Sequence, residues 1–191
     1  QILGWLHRQV YQQPDAVYAQ AMAATSGALG NVVNGGTMGN LTALAVALEK
    51  QLPGTRKRGL FAAMQDAAYA GLAVIGSARS HYSVKKALAT LGLGENALHL
   101  VAVDRDNRID IAALEDTIAD LKLRKIKVVA MIGIAGTTET GAIDPLAAMA
   151  AIAARESIWF HVDAAWGGAL LIAEQYRALY DGIALADSVV I

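Results

Sequence analysis

Apolar residues recur at helical spacing in two early stretches of the chain. Ile2, Leu3, Leu6 and Val10 form an amphipathic pattern at the start. From residue 40, Leu41, Leu44, Ala45 and Leu48 follow the i, i+3, i+4, i+7 rule and predict a helix ending near Pro53-Gly54. A second helix is expected over 56–70. Beyond it the pattern changes to short runs that are apolar throughout: LAVIGS at 72–77, LHLVAV at 98–103, KVVAMIGIAG at 127–136 and IWFHV from 158. Each reads as a buried strand.

Helical segments fill the gaps between these strands. HYSVKKALATLG closes at Gly92, and Asp110 is a good N-cap for IAALEDTIADL. Asp144 followed by Pro145 reads as an N-cap with proline at the first helical position, opening PLAAMAAIAARES. The order is αβαβαβαβ, with a last strand at about 187–191. Strands that do not alternate, separated by single helices, predict an α/β fold: a mostly parallel sheet with helices on both faces. In such sheets ligands sit at the carboxyl ends of strands and at helix N-termini.

Composition narrows the function without naming it. The 191 residues suit one domain, 55% are hydrophobic, and a formal charge of −1 offers no field for nucleic acid or an anionic membrane. The cluster Arg56-Lys57-Arg58 beside Pro53-Gly54 reads as a solvated helix start. The absence of cysteine removes disulfides and thiolate chemistry and fits a reducing compartment, so a cytoplasmic location is expected. The purest apolar run, VVAMIGIAG at 128–136, is far short of the roughly 20 residues needed to span a bilayer. Both ends read as interior, so residues 1–191 are expected to be a piece truncated at both ends.

Four strand-end or helix-start positions carry candidate chemistry. GGTMGN at 35–40 places Gly36 and Thr37 where a loop becomes a helix, a setting for a phosphate or for a plain Gly-rich turn capped by Thr37. His81 follows LAVIGS, Thr137 and Thr138 follow the strand ending at Gly136, and Asp163 follows IWFHV beside the small Ala164 and Ala165. Each alone has a structural reading as a cap or turn residue. The chain has no GxxxxGK[ST] for a triphosphatase and no GxSxG for a hydrolase. Gly92, Gly94 and Ala97 match GxGxxA but precede a strand instead of following one. His161 and Asp163 share a strand face, but no third ligand has suitable spacing, so no metal is expected.

A cofactor with a phosphate, a flat ring and a basic ring nitrogen would use all four positions at once, and pyridoxal 5′-phosphate is such a molecule. Its phosphate would sit at Gly36, Thr37 and Met38, with the ring under an imidazole and the pyridine nitrogen against a carboxylate.

The motifs GGTMGNLTAL, SHYSVKKA, IAGTTETGAIDP and HVDAAWGG, in this order and at these separations, resemble the group II pyridoxal-phosphate-dependent amino-acid decarboxylases. That family includes glutamate, aromatic-amino-acid and some aspartate decarboxylases. The resemblance covers nearly the whole chain and implies part of the large domain of a fold-type I enzyme. It also implies that Thr37 and Met38 belong to the phosphate loop, that His81 stacks on the ring, and that Thr137 lies close to the cofactor. Asp163 would pair with the pyridinium nitrogen, and Ala165 would pack opposite His81. Met38 and Gly39 bring no hydroxyl where relatives often have serine. By the family's spacing the resemblance implies a Schiff-base lysine, in a His-Lys pair after a strand like ADSVVI, only a few residues beyond Ile191; Lys85, Lys86, Lys122, Lys125 and Lys127 do not fit that role. A fragment without it is expected to be inactive alone. The implied substrate is an amino acid, with the acidic branch (glutamate or aspartate) favoured, and the implied assembly is a homodimer. Another fold-type I lyase or aminotransferase, or a non-catalytic α/β binding module, stands as the alternative.

Overall fold

A computed structural model describes residues 2–24 and 28–191. Helices α1 (Ile2–Tyr11) and α2 (Asp15–Ala23) precede α3 (Gly36–Gln51), α4 (Thr55–Arg58) and α5 (Leu60–Gln65). Strands and helices then alternate: β1 (Gly71–Ser77), α6 (Ser83–Thr90), β2 (Leu98–Val101), α7 (Ile111–Leu123), β3 (Ile126–Ile134), α8 (Leu146–Glu156) and β4 (Trp159–Asp163). Three 3₁₀ segments between 168 and 185 lead to β5 (Ser188–Val190).

The sheet is parallel, in the order β2-β1-β3-β4-β5. Its two faces explain the apolar runs in the sequence. Ala73, Ile75, Val128, Met131, Phe160 and Val162 pack with α1, α7 and α8 on one side. Val74, Val129, Ala130 and Ile132 pack with α3, α5 and α6 on the other. Strands covered on both faces have no polar side to alternate with. The neighbours Val129 and Ala130 share a face because the β1/β3 register shifts there: Ala73 pairs with Val128 and Val74 with Ala130, leaving Val129 as an extra residue.

The helix expected over 56–70 is two short helices. Gly59 has φ +86°, a left-handed conformation that only glycine adopts at no cost, and its N–H closes α4 on the Thr55 carbonyl. The helix read from residue 40 begins four residues earlier, at Gly36.

The two predicted aspartate caps diverge. Asp110 caps α7 as expected, accepting from the Ala113 N–H at 3.1 Å. Asp144 does not cap α8, whose N-cap is Pro145 with no side-chain bond. Its carboxylate turns inward and accepts from the Ile109 N–H at 2.7 Å and the Ile134 N–H at 2.8 Å. The amide at the end of β3 and the one just before α7 prevail over the helix start, because a buried N–H without a partner costs more than an exposed one.

Candidate active site

β1 connects to β2 on one side, and the chain then crosses back to place β3 on the other side of β1. A crevice opens at the carboxyl ends of strands where the order reverses in this way. A cavity of about 250 Å³ lies there. It is lined by Gly36, Thr37 and Asn40 from the start of α3, by Arg79, His81 and Ser83 after β1, and by residues following β3 and β4 that include Thr137, Asp163 and Ala165. Three larger cavities, of about 590, 650 and 310 Å³, lie against the N-terminal helices, the β5 edge and the 171–184 segment, and none of the predicted site residues lines them.

Six of the seven predicted residues therefore meet at one place, although they come from four separate segments. The Gly36 and Thr37 N–H groups have no partner among the described residues, so α3 offers unbonded donors and the positive end of its dipole to the cavity. Met38 is the exception. It does not line the cavity, and its N–H donates to the Gly35 carbonyl at 3.1 Å.

His81 precedes α6, and its Nδ1 accepts from the Ser83 N–H at 3.3 Å. That bond makes it a capping residue as well as a wall of the cavity. The Thr137 hydroxyl closes the turn after β3, accepting from the Ala142 N–H at 3.1 Å and lying 2.6 Å from the Thr140 hydroxyl.

Asp163 ends β4 with both oxygens held. Oδ1 accepts from the Ala165 N–H at 3.2 Å and Oδ2 from the Asn40 amide at 2.7 Å. A carboxylate has about four acceptor positions, so each oxygen keeps capacity for a further donor.

Close backbone approaches shape the walls. A Cβ on Gly36 would lie 2.8 Å from the Ala165 Cβ, and one on Gly167 would lie 2.3 Å from the Ala135 carbonyl oxygen. The glycines of GGT and WGG thus let α3, the β3 loop and the β4 loop close around the crevice.

Sequence reasoning did not single out Asn40. It is 1% exposed and bonds to Asp163, to Ser83 Oγ (3.0 Å) and to His161 Nε2 (3.0 Å). The usable sign was position: Asn40 lies four residues before Leu44 on the buried stripe of a helix, where a polar side chain requires partners. His161, considered only as a metal ligand, is fully buried, and burial pulls its imidazole down to about 4 against the raising effect of Asp163.

The family model for the pyridoxal-dependent decarboxylase conserved domain matches residues 3–191. The chain belongs to this family. Pyridoxal phosphate is the family's cofactor, and decarboxylation makes its members carboxy-lyases. The aspartate 1-decarboxylase of Aliivibrio fischeri is 48% identical, with 100% of this chain matched to 36% of that protein. The L-2,4-diaminobutyrate decarboxylase of Rhizobium meliloti is 36% identical over 91% of this chain and 32% of its own length. Among solved structures, mouse CSAD superposes with a TM-score of 0.79 at 34% identity, covering 98% of this chain and 37% of that one. The chain thus spans about a third of the length of the relatives it matches. The α/β fold expected from the sequence is the fold of these decarboxylases.

Proposed function

We propose that the protein decarboxylates an L-amino acid with pyridoxal phosphate, and that residues 1–191 form the cofactor-facing part of its large domain. The observation that carries this reading is the meeting of one carboxylate, one imidazole and one helix start with unbonded N–H groups around a single cavity. Pyridoxal phosphate, when bound, supplies an electron sink for the bond between Cα and the carboxylate.

The residues present suit that cofactor. Gly36 and Thr37 would receive the phosphate on backbone N–H groups, aided by the α3 dipole. Met38, whose N–H is engaged with Gly35, would contribute least. His81 would cover one ring face with its plane fixed by the Ser83 N–H, and Ala165 would cover the other. Asp163 would keep a proton on the ring nitrogen, since its two oxygens are held by Asn40 and Ala165 and face that proton as a fixed anion. Thr137 would border the cofactor on the β3 side. Among the described residues no lysine lines the cavity, and the family resemblance would put the Schiff-base lysine on a segment after β5.

For the substrate we read an acidic amino acid. The relative at 48% identity is named for aspartate, and Arg79, whose guanidinium pairs with Glu139 at 3.1 Å and Asn107 at 2.7 Å, stands on the cavity wall. The relative named for 2,4-diaminobutyrate supports a second reading, a substrate with a side-chain amine. The assembly we expect is a cytoplasmic homodimer.

The test is CO2 release by the complete protein from aspartate, glutamate and 2,4-diaminobutyrate, alongside titration with pyridoxal phosphate followed by absorbance. Release greatest from the acidic pair is expected. Release from diaminobutyrate alone would select the second substrate. Amino transfer to a 2-oxo acid without CO2 would assign the aminotransferase alternative, and failure to bind the cofactor would sink the reading.

A further inference from the structure

Behind Asp163 and Asn40 the line of polar groups continues through His161 to Ser188 and Trp159, which the cofactor reading does not use. The Trp159 indole N–H donates to Ser188 Oγ at 2.9 Å. Ser188 Oγ is 2.9 Å from His161 Nδ1, His161 Nε2 is 3.0 Å from Asn40 Oδ1, and the Asn40 amide nitrogen is 2.7 Å from Asp163 Oδ2. His161 and Asn40 are 0% and 1% exposed, which shields the contact between them, whereas Trp159 and Ser188 are half-buried.

Elementary donor and acceptor rules give the line a direction. An ionised carboxylate only accepts, so the Asn40 group facing Asp163 must be its N–H2. The Asn40 carbonyl then points at His161 Nε2 and needs a donor there. His161 must carry its proton on Nε2. Burial keeps the ring neutral, so Nδ1 is bare and accepts from the Ser188 hydroxyl, whose own oxygen already accepts from Trp159. The competing arrangement puts the proton on Nδ1, aimed at the Ser188 carbonyl 3.2 Å away, and leaves the Asn40 carbonyl without a partner.

We propose that His161 is a positioning residue for Asp163: its Nε2–H fixes the Asn40 amide, and the amide holds the carboxylate in place as the partner of a cationic ring nitrogen. The tautomer and the amide orientation follow from this chain's own groups; the consequence for a ligand rests on the cofactor reading above. Without the imidazole donor, the Asn40 carbonyl is buried unpaired. The amide is then fixed only on its nitrogen side, by Ser83 and Asp163, and its hold on the carboxylate loosens.

Two measurements test this in the complete protein. In histidine labelled with 15N, and with no cofactor present, His161 is expected to show a protonated Nε2 and a bare Nδ1 at neutral pH; a protonated Nδ1 would overturn the proposal. The second compares the Kd of pyridoxal phosphate with that of an analogue in which C–H replaces the ring nitrogen. His161→Phe is expected to lose roughly tenfold of the wild-type preference for pyridoxal phosphate, the scale of one charge-assisted hydrogen bond. His161→Gln, which can place an N–H near Nε2, is expected to keep most of it. A general packing defect weakens both ligands equally, so full preference in His161→Phe overturns the role. If wild type itself shows no preference, the Asp163–ring pairing fails instead, and the nitrogen shifts still decide the tautomer.

Discussion

Asp144 and Asp163 both belong to the carboxyl-end loops of the sheet, and they use their carboxylates in opposite ways. Asp144 is 3% exposed and gives one oxygen to the Ile109 N–H and the other to the Ile134 N–H. Burial pushes its carboxyl up from the usual range, and those two backbone N–H groups pull it back. Its work is internal: it ties the segment after β2 to the end of β3. Asp163 is held just as firmly, by Asn40 and Ala165, but its oxygens border a cavity and retain room for a donor. A carboxylate closed on every side is a staple. One held from behind and open in front keeps room for a further donor.

Removing each carboxylate should separate the two roles. Asp163→Ala in the complete protein is expected to leave the fold largely intact and to lower kcat by on the order of 10³-fold, about 4 kcal/mol. Turnover within tenfold of wild type would remove the ring-nitrogen role. Asp144→Ala should do the reverse. It strands two buried N–H groups, and urea unfolding should show a loss of roughly 3 kcal/mol, with kcat per folded molecule little changed.

Acid should strike the open site through His161. Its folded value, about 4, lies below its ordinary 6.5, so the unfolded chain takes up a proton that the folded chain refuses. Stability is whole above about 6.5 and falls as pH drops toward 4, by up to roughly 3 kcal/mol from this residue. The urea midpoint measured from pH 7 to 4 should show that decline, and His161→Gln should flatten it. The smallest effect belongs to Asp110→Ala, which loses one half-buried helix cap worth about 1 kcal/mol and should leave cofactor affinity unchanged.

Locally encoded features were readable from the sequence. The Asp110 cap depends on residues three positions apart, and the strands announced themselves because both faces of the sheet are covered. That six candidate residues would gather at one cavity was also readable, since strand ends and a Gly-rich helix start are where an α/β sheet collects ligands. What escaped depended on distant partners. Asp144-Pro145 looks like a helix start whatever else competes for the carboxylate, and one competitor lies 35 residues away. Asn40 looked like the end of a glycine loop because its partners lie 43, 121 and 123 residues ahead. The break at Gly59 could be seen only as a backbone angle.

Those separations also set an order in time. A ribosome delivers Asn40 well before it delivers His161 and Asp163. Until β4 docks, the Asn40 amide on α3 has Ser83 to bond but its carbonyl has no partner, and that side of the helix must stay hydrated or loosely packed. The candidate pocket therefore closes late in the growth of the chain, and ordering of its polar line marks the moment when α3 and β4 have found each other.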